Sequence, residues 1–250
     1  MFRRRSRWTQ EQGPYWKQRS WQVSAGFLSL VVGVSCLVAL TSGGGDRGGQ
    51  SAADKGPLSG AAVMKDGRPR DCRTDDSAGA ALPKSAPKDV TWRTLGIARV
   101  PVSASAGPTR THDTLWWCFA HTPMGAVEAA VVIPSQMSGS GWRAVSRQQV
   151  VAGHPRDLFD FQRSTVQDID NADDAGEQAV GTYAGFSVSS YKSTAASVAL
   201  LIRSSQGLST TRVRLRWSGG DWKVVPSGGG DLHTPVTSAQ NTNGFLLWEG

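Results

Sequence analysis

Side chains that commonly carry catalytic or metal chemistry are scarce in these 250 residues, which include three cysteines and four histidines. Three thiols are too few for a disulfide-dense scaffold, and no second Cys/His pair is spaced to complete a zinc site. The chain has no Walker A loop, no dinucleotide glycine motif and no HExxH helix, so nothing points to a bound cofactor or a metalloprotease. Hydrophobic residues make up only 39%, while Gly and Pro number 29 and 12, so part of the chain is not packed core. Charge is missing altogether between Trp21 and Thr41.

The charge that is present is unevenly placed. The formal balance is +7, with a pI near 9.7. Arg3, Arg4, Arg5, Arg7, Lys17 and Arg19 stand against Glu11 alone in residues 1–20, and the chain after Thr41 is almost neutral. The basic character therefore reads as a tail and not as a binding surface, which argues against direct nucleic-acid binding. The uncharged stretch from 21 to 41 is close to the roughly 20 residues that span a bilayer as helix. Trp16 and Trp21 sit where interfacial aromatics belong, and the arginines precede them. These features predict a single-pass anchor with residues 1–20 cytoplasmic and the chain from 42 onward outside the cell membrane. A cleaved signal peptide would need a shorter apolar core and a better site than Ala39-Leu40-Thr41. A lipoprotein would use Cys36, but Gly33-Val34-Ser35 is a weak box and the apolar run continues past it.

Residues 42–87 mix Gly, Ser, Ala and Pro with isolated charges and show no hydrophobic period, so a flexible stalk is expected there. A folded α+β domain is expected over 88–250. Gly96–Val102 reads as a short strand, with Pro101 marking an edge or an end. Thr122 and Pro123 form an N-cap and first helical position for a helix from Met124 to Ile133, stopped or kinked at Pro134. A second helix is expected from Leu158, with Leu158, Phe161, Thr165 and Ile169 near one face. The last third is β: Phe186 to Val188, then Val198, Leu200 and Ile202 in alternation, then TTRVRLRW. In that last strand Val213, Leu215 and Trp217 share one face and Arg212, Arg214 and Arg216 the other. Gly219-Gly220-Asp221 is a hairpin signal leading back through WKVV.

Cys118 and His121 have a gap compatible with metal binding, but a buried Cys and a His at the start of a helix explain them more simply. Ser140 lies in a Gly/Ser loop rather than a nucleophile elbow. Asp157, Asp160, Asp168, Asp170, Asp173 and Asp174 read as a helix face and its closing turn. Cys72 and Cys118 are the two thiols after the span, and outside the cytoplasm an even count favours a disulfide. The stripe Arg212, Arg214, Arg216, extended by Lys223 across the hairpin, could receive a carboxylate-rich partner; a solvated face with acids on neighbouring strands is the alternative.

At WWCFAHTPMGAVEAA, GFSVSSY, RLRWSGGDWKVV and NTNGFLLWEG the chain resembles a family of uncharacterised actinomycete integral membrane proteins found with conjugative elements. The family is similar in plan to bitopic type IV secretion assembly factors of the TcpC-like kind. The resemblance implies a cystatin-like, nuclear-transport-factor-two-like half-cone outside the membrane, with helices packed in a curved antiparallel sheet. It implies a non-catalytic assembly role in a DNA-transfer apparatus, with other envelope proteins or further copies of the chain (a homo-oligomer) as partners and no cofactor. An exported, membrane-anchored ligand- or partner-binding module unrelated to conjugation is the alternative.

Overall fold

The computed structural model describes residues 56–59, 64, 67–170 and 181–248. The basic tail, the expected anchor and residues 42–55 lie outside the described residues. No helix among the described residues is long and apolar enough to cross a membrane. The described chain is α+β: a curled, largely antiparallel sheet with three helices, forming a half-barrel.

The sheet runs in the order β1 (Val90–Leu95), β2 (Ala98–Ser103), β5 (Thr182–Lys192), β6 (Ala195–Ser204), β7 (Gly207–Ser218), β8 (Asp221–Val224). β9 (Thr237–Ser238) adds to β7 and β10 (Leu246–Leu247) to β5, and β3 (Arg110–His112) with β4 (Leu115–Trp117) forms a separate ribbon. Among the described strands β2 and β5 pair in parallel, at Arg99 and Thr182. Pro101 sits inside β2, opposite Trp92, rather than at the strand's end. The Gly219–Gly220 turn between β7 and β8 has φ of 67° and 79°, values that glycine adopts without a Cβ clash.

Helix α1 (Pro123–Ser135) begins as expected, with Thr122 accepting from the Gly125 amide at 3.2 Å. Pro134 does not stop it; the proline falls in the last turn, and the chain leaves the helix at Gln136. α1 crosses the concave side of the sheet, touching β2, β5, β6, β7 and β8, and is buried on nearly every face. Its small residues Gly125, Ala126, Ala129 and Ala130 allow that depth. Val198, Leu200, Val213 and Leu215 from the sheet complete the core, each no more than 2% exposed.

The helices differ from expectation in two ways. α2 (Trp142–Gln149), after the Gly/Ser loop, has no counterpart among the expected elements. α3 (His154–Arg163) ends before Thr165, and Phe161 is 71% exposed. The inward side of α3 is instead Phe159, edge-on to Trp142 at 6.2 Å, and Arg163, whose guanidinium donates to the carbonyls of Met137 and Ser138 and pairs with Asp168 at 2.7 Å.

The boundary expected at residue 88 is too late. Leu58, Arg68 and Cys72 are all buried, and Gly220 packs against the backbone of Gly67 and Arg68. The segment from 67 to 87 has almost no regular structure, so no hydrophobic period marks it. It is held by a few specific bonds instead.

Candidate functional site

The longest antiparallel ladder sets the outer, convex face of the sheet. Arg212, Arg214 and Arg216 are exposed between the buried Val213 and Leu215 and the half-buried Trp217. Across the ladder their partners are Ala199, Ser197 and Ala195 on β6, and Arg216 faces Lys223 on β8. Lys192 pairs with Ala195, so Lys192, Arg216 and Lys223 lie in one row across four strands. The ten strands hold nine Lys and Arg side chains and one acid, Asp221, which is buried. None of the three arginines has an acidic partner within 4 Å among the described residues. Acids on neighbouring strands, the alternative reading of the stripe, therefore do not pair with these arginines among the described residues. A near-neutral total conceals this segregation. Burial pushes the Lys223 ammonium below its ordinary value; Asp221 opposes that shift and Arg156 adds to it.

At the edge of this face, the chain leaving β8 stays bonded to β7 at Val225 and returns to it at Thr234, whose amides donate to the Arg214 and Arg212 carbonyls. Between those two points the chain loops outward. A cavity of about 210 Å³ opens there, lined by Arg212, Arg214, Val225, Leu232, His233 and Thr234 among others. A second, more apolar cleft of about 220 Å³ lies at the open end of the half-barrel between α1 and the sheet, with Ala130, Leu200, Ile202 and Val213 in its wall. Tyr183 and Ser135 also line it, with their hydroxyls 2.9 Å apart.

The residues the sequence offers for metal or nucleophilic chemistry are engaged in structure. Cys118 is in a disulfide with Cys72, with Cα atoms 5.3 Å apart. The His121 ring stacks on Trp217 at 3.8 Å, and its Nε2 lies 2.5 Å from the Ser193 carbonyl, to which it donates. Ser140 bonds Asp170, and Asp160 accepts from Ser146. Asp173 and Asp174 lie outside the described residues. Among the described residues no three His, Cys, Asp or Glu side chains are grouped to hold a metal ion.

Two buried groups escape sequence reasoning. Asp221 accepts backbone N–H bonds from Cys118 at 2.7 Å, Phe119 at 3.0 Å and Trp222 at 2.9 Å. Burial pushes its carboxyl up to about 6, against the pull of those three donors and of Arg68. Arg68 in turn donates to the Phe119 carbonyl and to Asp76, and lies 5.2 Å from the Trp217 ring centre. The Trp222 indole donates to the Ala120 carbonyl. The WWCFAH and GDW phrases are thus two sides of one clamp, which joins the 67–76 segment to the sheet. The hairpin signal revealed the turn but not this role, because the partners are about a hundred residues away. Glu128, on α1, is fully buried, and neither carboxyl oxygen has a partner among the described residues. Burial first, and then the Asp89 charge, hold it well above the usual carboxyl range.

No curated protein and no solved structure matches the chain. Residues 53–247 match the family described as a domain of unknown function (DUF8175), a span that covers the clamped 67–76 segment, the half-barrel and β10. The chain belongs to that family.

Proposed function

We propose that the folded part of this chain is a non-catalytic binding module that captures an acidic protein partner on the outer face of its sheet. The observation that carries this reading is the run of Arg212, Arg214 and Arg216 on one strand with no acid opposite. The ladder fixes the spacing of the three guanidiniums, and the planar fork of each matches a carboxylate bidentately. The arginine strand itself sets no aromatic side chain beside Arg212, Arg214 and Arg216, since Trp217 shares the inward side with Val213 and Leu215. In the wider reading, residues 21–41 anchor the module and hold it outside the membrane. The half-barrel is a cystatin-like half-cone, and the protein assembles with envelope components of a conjugative DNA-transfer apparatus. The resemblance in the sequence supports that wider role.

The test is the triple variant Arg212→Glu, Arg214→Glu and Arg216→Glu in the full chain. It should remain folded and at the membrane, because the Val213 and Leu215 face is untouched. Cross-linking followed by purification from membranes should then lose acidic partners, and transfer of the element should fall. Unchanged partner capture by a folded triple variant would end this reading. The open-end cleft supports a second reading, the binding of a small apolar ligand. Filling it with Ile202→Trp should then abolish function while partner capture persists.

A further inference from the structure

We infer that the cavity between Arg212 and Arg214 is an anchoring pocket for one carboxylate side chain, Asp or Glu, of the acidic partner. This deepens the binding reading above and rests on it. The two guanidiniums come from alternate residues of β7 and stand on the same side of the strand. Arg214 spends one donor on the Pro226 carbonyl, at 2.9 Å, which fixes its position and leaves the others open. The Arg212 side chain makes no hydrogen bond among the described residues. The cavity they share, about 210 Å³, is large enough for an acidic side chain and its stem.

The far wall is built to hold its shape. The Ser227 hydroxyl donates to Asp231 at 2.8 Å and accepts from the Gly229 and Asp231 amides, while the Ser227 amide donates to the Asp231 carbonyl. Asp231, the one acid in the lining, is positioned by Ser227 and forms no ion pair with either arginine, so two cations face it across the cavity. Val225 and Leu232 give the lining an apolar part suited to the methylenes of an acidic side chain. The β7 edge is already satisfied here, with Thr234 bonded to both the amide and the carbonyl of Arg212. A partner therefore gains side-chain contacts in this pocket rather than adding a strand, and specificity rests on the carboxylate.

The test uses the purified full chain and three probes: the peptide acetyl-Glu-Leu-Glu-Leu-amide, its Gln counterpart, and inorganic phosphate. Backbone NMR shifts locate each probe. The Glu peptide should move the resonances of Val225, Leu232 and Thr234, and the Gln peptide should not. Arg212→Gln and Arg214→Gln should each weaken the Glu peptide about tenfold, the scale of one charge-assisted bond. Lys84→Gln should leave it unchanged. Shifts confined to Lys192, Arg216 and Lys223 would overturn the pocket while leaving the cationic face as the binding surface. No shift anywhere on the sheet would remove both. Phosphate binding as tightly as the Glu peptide at the pocket would replace the carboxylate assignment with a general anion site.

Discussion

Replacing Asp221 by Asn separates two forces that act on the same carboxyl. Burial favours the neutral acid, whereas three backbone N–H groups and Arg68 favour the ion. Burial wins, and the carboxyl moves from an ordinary 3.8 to about 6. At about 1.4 kcal/mol per pH unit, that displacement is worth about 3 kcal/mol. The sign follows from linkage. An acid whose folded pKa lies above its unfolded value binds its proton more tightly in the fold. Its contribution to stability is complete below 3.8 and is lost as pH rises to about 6. Asn cannot titrate in this window. Its amide nitrogen would confront the Cys118 N–H in place of the second oxygen, at a cost of about 1–3 kcal/mol. Urea unfolding of wild type and variant across the acidic range reads the difference directly. The variant should be the less stable protein at low pH and should gain about 3 kcal/mol on wild type as pH rises past 6, with no further change. A difference that moved the other way would mean that the donors and Arg68 outweigh burial and hold the carboxylate ionised. A flat difference would refute the displaced pKa.

Other perturbations follow from the same structure. The Cys72–Cys118 bond closes a separation of 46 residues, so the double Ser variant should lose about 4 kcal/mol in the chain-entropy relation, seen as a lower Tm. Equal melting with and without reductant would contradict that. Glu128→Leu should stabilise by about 1–3 kcal/mol, because it removes a buried acid with no partner. The gain should grow as pH rises from the acid range, since a raised carboxyl pKa makes wild type lose stability in that direction; a loss at neutral pH would show that the acid is used. On α3, Phe159→Ala should cost about 2 kcal/mol or more and Phe161→Ser less than about 0.5 kcal/mol, and thermal melts would expose a reversed order.

Local rules already determine several features in the sequence itself. Thr122-Pro123 starts a helix because an N-cap oxygen and a missing N–H both suit that position. Val213, Leu215 and Trp217 alternate with three arginines because a strand turns each residue to the opposite face. Gly219-Gly220 turns the chain because both residues need positive φ. Each of these signals acts over a few residues, and each is legible without a fold. The face of α3 was not, because Trp142 and the carbonyls after α1 decide which side turns inward, and period alone chose Phe161. The start of the folded unit was not legible either. Residues 67–76 lack an apolar pattern and are held by Arg68, Cys72 and Asp76 to groups far along the chain. Whether the arginines met acids or one another depended on strand register, which brings Ala199, Ser197, Ala195 and Lys223 alongside them. The pocket beside Arg212 depended on where the chain after β8 returns to β7. Tertiary structure alone decided these points, because charge pairing and burial depend on distance in space, and sequence separation does not record that distance.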